Sequence, residues 1–357
     1  MRISQISLKN FRGYNSLQLT FKNGINVLVG KNGAGKTNLL EAIHYLSFAK
    51  SFRQVEDIEL IQKGESRAII HASVFENTKK TNIDVRIDEK GKKILINDKN
   101  INKLSSLNKI TNVIIFEPKD VMIFKDSPRY RRNYLDINIS KINPVYSDEL
   151  SQVDKLLKER NETLKQDKVD LTQLEIITNQ LIDQEKTIIE MRSRFVTMLN
   201  EVISKVVNTL KGDKDKVKII YFPYIKLDEN YQNNALKLYK DNLENDLKRK
   251  ATNIGVHRED FILNLNGENI AIKGSQGENR LMALALKLSP YFLVENKDKH
   301  PIVALDDVMS ELDINHQKRL IEFLRKLDQV FITSTNLYIK DASVYEVDNH
   351  QIIRRTK

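Results

Sequence analysis

The stretch GINVLVGKNGAGKTNLLEAIH, residues 24–44, decides the fold. Ile25 to Val29 is apolar apart from Asn26, as a buried strand is. After a glycine-rich turn, Thr37, Leu39, Leu40, Ala42 and Ile43 continue as a helix. The turn Gly30-Lys31-Asn32-Gly33-Ala34-Gly35-Lys36-Thr37 fits the phosphate-binding pattern G-x-x-x-x-G-K-[ST]. Without side chains at Gly30, Gly33 and Gly35 the backbone can curl until successive N–H groups face phosphate oxygens. The helix that follows aims its positive end at the same place. Lys36 is expected to reach the β- and γ-phosphates, and the Thr37 hydroxyl to sit on Mg²⁺. The stretch reads as a nucleotide site.

Outward from that site, the 357 residues suffice for two domains, or for one large domain with an insertion. No run of about eighteen apolar residues exists, so no membrane span is expected. The N-terminal MRISQISLKNFRGY alternates like a strand and lacks the apolar core of a signal peptide. With no cysteine there is no disulfide framework, zinc hook or thiol chemistry, and a cytoplasmic protein is expected. A net charge of +10 suits a polyanion such as nucleic acid, though charge alone discriminates weakly.

Arg2 to Leu8 and Leu17 to Phe21 alternate as strands, joined by the loop Lys9 to Tyr14. In that loop Phe11 and Arg12 read either as a packed aromatic with a structural arginine, or as contacts to nucleotide or DNA. Ala68–Phe75, Thr81–Ile87, Ile94–Ile96 and Val113–Phe116 are further strands, the last ended by Pro118. Ser127-Pro128 opens a helix carrying Arg129, Arg131 and Arg132. These arginines are a solvated face or a polyanion contact, and charge alone favours the former.

Between Asn143 and Leu210 the pattern is helical. Leu150, Val153, Leu157 and Leu164 share one face. Leu174, Leu181, Ile188, Phe195 and Val202 recur every seven residues, as do Ile182, Ile189, Val196, Ile203 and Leu210. A short helical hairpin or coiled coil and an ordinary helix bundle both satisfy that period. A strand at Val217–Phe222 and a charged helix at Ala235–Lys250 complete the insertion. Past it, Gly255-Val256-His257-Arg258-Glu259-Asp260 leads into a strand at Phe261–Leu265. Ser275-Gln276-Gly277-Glu278 precedes a long apolar helix from Leu281 to Val294. A capping box explains Ser275 and Glu278 by itself.

Pro301 to Leu305 is a buried strand that runs into Asp306 and Asp307, the acidic partner a phosphate loop requires. Asp306 is expected to help hold Mg²⁺, and Asp307 to orient and polarise the attacking water. Ser310-Glu311-Leu312-Asp313, a helix at Ile314–Leu327 and a last strand at Val330–Ile332 follow, ending in Thr333-Ser334-Thr335.

The order phosphate loop, helical insertion, S-Q-G-E, strand with two Asp, then S-E-L-D resembles the ABC-type ATPase heads shared by SMC and related DNA-repair proteins. Among these the chain is similar to the RecF family along essentially its whole length. LKNFRGY, NLLEAIHYLSFAKSFR, FEPKDVMIFKDSPRYRRNYLD, GVHREDF, GSQGENR and LDDVMSELD carry the likeness. It departs at Lys119, where the family usually has Glu, and at Val256, where it usually has Pro.

The resemblance implies an α/β fold: an ABC-type P-loop ATPase head, mixed sheet plus helices, from 1–140 and 251–357. A mainly helical second lobe with a short coiled-coil arm would occupy 141–250. It implies an ATP-dependent homodimer in which Ser275, Gln276, Gly277 and Glu278 of one copy cover ATP on the other. Lys36, Ser275 and Asp307 would then be catalytic, with Mg²⁺ on Thr37 and Asp306. Thr333–Thr335 replaces the switch histidine of many relatives, which implies slow hydrolysis. The implied role is a weakly hydrolysing clamp on duplex DNA and single/double-strand junctions in repair, replication and the SOS response. It would work with RecR and RecO, and indirectly with RecA. Arg129, Arg131, Arg132, Lys248, Arg249 and Lys250 are candidate DNA contacts. Alternatives are a defence or toxin ATPase controlling a partner nuclease, and an ABC transporter subunit.

Overall fold

Alternating apolar residues at the start of the chain form β1 (Arg2–Phe11) and β2 (Tyr14–Thr20), paired antiparallel with Ile6 opposite Leu19 and Leu8 opposite Leu17. Both strands run further than the sequence pattern predicts, so the loop shrinks to the turn Arg12-Gly13, with Arg12 at φ 54°. The computed structural model describes residues 1–101 and 104–355.

The glycine-rich stretch follows, from β3 (Gly24–Val29) to α1 (Lys36–Phe48). Next come β4 (Arg67–Glu76), β5 (Lys79–Asp88), β6 (Gly91–Ile96), β7 (Lys99–Asn100) and β8 (Val113–Phe116). The helical section comprises α2 (Pro128–Ile142), α3 (Pro144–Leu164) and α4 (Leu171–Lys211). After β9 (Val217–Phe222), the single helix expected at 235–250 is two, α5 (Tyr231–Asp241) and α6 (Leu243–Arg249). They break at Asn242, whose side-chain amide turns onto Asp246 at 2.8 Å. β10 (Asp260–Leu265), β11 (Glu268–Asn269), α7 (Ile270–Lys273) and α8 (Gln276–Leu288) come next. α8 stops short of the expected Val294 because Pro290 forces a 3₁₀ turn over Ser289–Leu293. The chain closes with β12 (Ile302–Leu305), α9 (Ile314–Leu324), β13 (Gln329–Ser334), β14 (Ser343–Asp348) and β15 (Gln351–Arg354). The final hairpin was not anticipated; β13 was expected to be the last strand.

Two compact units result. The first holds Met1–Val121, Lys205–Lys214 and Arg280–Lys357. It contains an antiparallel sheet ordered β2-β1-β4-β5-β6-β7 and a second sheet ordered β15-β14-β3-β13-β12-β8. In the second sheet only β15 runs antiparallel to its neighbour. α1 buries residues on every face, including Leu39, Leu40, Ile43, Tyr45 and Leu46. A helix buried on every face needs packing partners on every side. Its side chains share one apolar cluster with Ile6, Ile70 and Val85 of the antiparallel sheet and Leu28, Ala304 and Phe331 of the other. This is the α/β architecture expected of the head.

The second unit holds Met122–Ser204 and Asp215–Asn279, so α2 and the segment up to Asn279 group here rather than dividing at 140 and 250. Its small sheet is ordered β11-β10-β9. α4, 41 residues long and belonging to this unit up to Ser204, buries both seven-residue columns read from the sequence at Leu174, Leu181, Ile188, Ile182, Ile189 and Ile203. A third column, Thr178, Glu185, Arg192 and Leu199, is buried as well. That face is wider than a coiled-coil seam, so the helix serves as the spine of a globular lobe. The polar members of the third column hid it from an apolar-periodicity reading. Among the described residues no helix is long and apolar enough to cross a membrane.

Buried Arg160 donates to Thr178 Oγ1 at 2.9 Å, Asp246 Oδ2 at 2.8 Å and Thr252 Oγ1 at 2.8 Å. Glu185 accepts from Tyr224 Oη at 2.7 Å, Tyr239 Oη at 3.1 Å and Val256 N at 3.0 Å. Burial nevertheless pushes the Glu185 carboxyl up to about 7, against the pull of those donors. The folded lobe thus holds a proton that the unfolded chain releases near the ordinary value of 4.5. Its contribution is present at acid pH and lost as pH rises through about 7. The thermal midpoint of Glu185→Gln, followed by circular dichroism, should therefore gain on wild type between about pH 5 and 8. An offset constant across that range would contradict the assignment.

Candidate phosphate-binding site

The phosphate loop is shaped by what packs beneath it. A Cβ on Gly30 would lie 2.1 Å from the Val347 carbonyl oxygen of β14, so no side chain fits. Gly35 caps α1 at φ 112°, and a Cβ there would meet His350 Nδ1 at 2.6 Å. Gly33 lies in open space at φ 81°, so its requirement is conformational. Lys36 folds back, Nζ donating to the Gly30 carbonyl at 2.6 Å and the Lys31 carbonyl at 2.8 Å. Burial pushes its pKa down, while Asp307 and Asp306 oppose that shift.

β13 lies between β3 and β12 in the sheet, which brings Thr333 between the loop and the acidic pair. Asp306 Oδ1 accepts from Thr37 Oγ1 at 2.9 Å and from Thr333 Oγ1 at 2.7 Å. The Thr333 hydroxyl accepts in turn from Asp307 N at 2.8 Å. Burial raises the Asp306 pKa, and the two hydroxyls act against it. Asp307 adopts the left-handed region at φ 48°, uncommon for a residue with a side chain. This breaks the strand between the two acids, leaving Asp306 buried and Asp307 half-exposed.

Among the described residues no group of three or more His, Cys, Asp or Glu is placed to hold a metal alone. One desolvated carboxylate beside one hydroxyl suits a Mg²⁺ that takes its remaining ligands from phosphate oxygens and water. Thr37 and Asp306 fit that role.

The sequence reading missed what supports the loop from behind. Tyr14 Oη donates to the Gly35 carbonyl at 2.9 Å, and His350 N donates to the Ala34 carbonyl at 3.0 Å. The two rings meet edge-on at 5.5 Å. His350 and Asn349, both at positive φ, form the two-residue turn of the β14–β15 hairpin. An Asn-His pair between alternating runs was the available signal.

Arg12 takes the structural role of the two proposed for it. Its Nε and Nη2 each donate to the Glu41 carboxylate at 2.8 Å, and Ser51 Oγ donates to the same group. Arg53 Nη1 lies 3.7 Å from it and donates to Asn38 Oδ1 at 3.3 Å. Glu41 is fully buried in the middle of α1, where a charged residue would be expected on a solvated face.

Ser275–Glu278 belongs to the second unit. Ser275 N and Oγ each donate to Glu278 Oε2 at 3.0 Å, and Ser275 Oγ accepts from Glu278 N at 3.2 Å. The capping box is therefore formed. Gly277 is exposed, and a Cβ there would meet nothing within 4 Å. The packing of its own chain does not demand a glycine.

Of the basic residues expected on DNA, Arg131 is corrected. It is buried, with Nε and Nη2 on Asp260 at 2.6 and 2.9 Å and Nη1 on the carbonyls of Ile123 and Asp126. Its donors are engaged inside the lobe. Arg129, Lys248, Arg249 and Lys250 are exposed, and Arg132 is half-buried.

Glu41→Gln would leave Arg12 without its charge partner in the first unit. It should destabilise the protein by about 3 kcal/mol in denaturant unfolding. A loss within about 0.5 kcal/mol of wild type would mean the pair is no anchor.

Comparison with known proteins agrees with this geometry. The family model of the RecF/RecN/SMC N-terminal domain matches residues 2–351. A protein named DNA replication and repair protein RecF from Bacillus cereus (strain G9842) is 35% identical over 98% of this chain and 97% of its own length. Its namesake from Bacillus thuringiensis (strain Al Hakam) gives the same figures. A solved structure described as the recombination mediator protein RecF-ATPrS in the RecFOR pathway superposes with a TM-score of 0.91. It is 31% identical and covers 99% of this chain and 98% of that one. An SMC head bound to the C-winged helix domain of ScpA, 16% identical with a TM-score of 0.59, shares the fold, covering 100% of this chain and 98% of its own.

Proposed function

The chain belongs to the RecF/RecN/SMC N-terminal-domain family, and from that footing we propose that it is a RecF-type, ATP-switched clamp on DNA in replication and repair. The observation that carries this reading is the joining of Thr37 and Asp306 at 2.9 Å beside a glycine-shaped phosphate loop. Its setting is a chain that superposes throughout on RecF structures described with ATPrS and with ATP.

ATP would bind on the backbone of Gly30 to Thr37, including Lys31, Asn32, Gly33 and Ala34. Lys36 would bind the β- and γ-phosphates, and Thr37 and Asp306 would hold Mg²⁺, which neutralises charge on those phosphates. Asp307 is the group to orient the attacking water and accept its proton. The Ser275–Glu278 segment of a second copy would meet the γ-phosphate at the N-terminal end of α8, where a helix offers free N–H groups. The open space around Gly277 supports a close approach from outside the chain. Binding of ATP would then make the homodimer, and hydrolysis would release it.

DNA is the partner that the basic chain and its relatives' name support. RecR, RecO and, indirectly, RecA are the protein partners of this reading, with gapped duplexes as the substrate and the cytoplasm as its place.

Two variants test the switch. Lys36→Arg should still bind ATP while its hydrolysis falls at least about tenfold, measured by phosphate release. Ser275→Arg should bind ATP as a monomer and fail to dimerise with it in sedimentation velocity. Normal ATP-dependent dimers of Ser275→Arg would overturn the shared-site model.

A further inference from the structure

α2 and the 3₁₀ turn Val256–Arg258 gather Arg131, Arg132, Arg192 and Arg258 with Asp136, Glu259 and Asp260 inside the second unit. The three acids are matched to two of the arginines. Asp260 pairs with Arg131, while Asp136 and Glu259 pair with Arg192 at 2.8 and 2.7 Å. Arg132 and Arg258 have no carboxylate within ion-pair distance among the described residues. Arg132 Nη1 donates to the Glu259 carbonyl at 2.7 Å, and Arg258 Nη2 reaches the Thr252 carbonyl at 3.3 Å. The first bond sets the Arg132 head against the residue that follows Arg258.

These cations act on one another. Burial pushes the Arg132 pKa down and Arg192 adds to that shift, Asp260 and Asp136 oppose it from beyond ion-pair distance, and Arg258 lowers it further. His257 adds no further positive charge. Its Nε2 lies 3.0 Å from the Thr252 carbonyl and must donate to it, and burial lowers its pKa to about 4, so the ring is neutral. Among the described residues neither guanidinium, of Arg132 or of Arg258, has a direct carboxylate partner, and guanidinium forks match phosphate oxygens in geometry.

Arg129 stands three residues before Arg132 on α2, on the same helical face, and is exposed like Arg258. The group thus combines a half-buried Arg132 with exposed Arg129 and Arg258. An open group suits an extended polyanion better than an enclosed small anion.

We propose that Arg132 and Arg258, extended by Arg129, form a nucleic-acid phosphate site on the second unit. The inference rests on the DNA-clamp reading and replaces Arg131, one of the basic residues first expected there.

The test is equilibrium binding of duplex DNA by the full chain with ATP, across a salt series. Arg258→Gln and Arg129→Gln remove exposed side chains, and unchanged ATP affinity shows that both variants are folded. For each variant the slope of log affinity against log salt should shrink by about 1, one released counterion per lost phosphate contact. Arg258→Lys should restore the slope. Slopes and affinities equal to wild type in both Gln variants would overturn the site while leaving the clamp intact. Wild type that does not bind duplex DNA would overturn the clamp, and this site with it. Weaker binding of inorganic phosphate by Arg258→Gln, with DNA binding unchanged, would assign a free anion instead and also overturn the proposal.

Discussion

A single buried carboxylate oxygen, Asp306 Oδ1, ties together the three strands that meet at the phosphate loop. It accepts Thr37 from the loop–helix junction beyond β3, and Thr333 from β13. Desolvation raises the cost of its charge, and two hydroxyl dipoles offset only part of that cost. The strand order follows from the same need. With β13 between β3 and β12, the phosphate loop and the acidic pair are two strand spacings apart, about 10 Å. That width leaves room for phosphates and a cation, while the loop still folds far enough over β13 for Thr37 to touch Asp306. The left-handed turn at Asp307 then frees the second acid from the sheet.

The second unit uses buried charge differently. Arg131, Arg160 and Arg192 all sit inside it, each with carboxylates and with carbonyl or hydroxyl acceptors. Such pairs add little net stability over apolar packing, but losing one partner is severe. Their consequence is positional. Arg160 grips Thr252, and Arg192 grips Val256 and Glu259, so the segment between them is clamped from two helices. Arg258 lies within that held segment, between Val256 and Glu259.

This division explains what could be read from the sequence. The phosphate loop was legible because its glycines, lysine and threonine keep a fixed spacing between an apolar strand and a helix, and β8 and β12 because buried parallel strands need unbroken apolar runs. The heptad columns of α4 were legible for the same reason. Glu185 and Arg192 were not, since a charged residue at a buried position looks in sequence like one in water. Glu41 hid likewise on α1. The C-terminal hairpin was lost because its outer strand is short and mostly exposed, with only Tyr345 and Val347 well buried in β14. Its function as a prop under Ala34 and Gly35 depends on pairing across the whole chain, which no local pattern reports.

The capping box at Ser275 bears on how ATP and ADP would differ in the proposed clamp. Within one protomer the Ser275 hydroxyl is already engaged with Glu278, as donor to its carboxylate and as acceptor from its N–H. To meet a γ-phosphate on a second copy, the hydroxyl must give up its bond to that carboxylate, and two negative groups must share the helix end. A capping interaction is worth about 1 kcal/mol. A charge-assisted bond to phosphate, reinforced by N–H groups at the end of α8, exceeds that. A nucleotide ending at the β-phosphate would offer no such replacement at that position, so Ser275 would return to Glu278. In the proposed clamp the box would therefore be the resting state of the signature, and loss of the γ-phosphate alone would be enough to restore it.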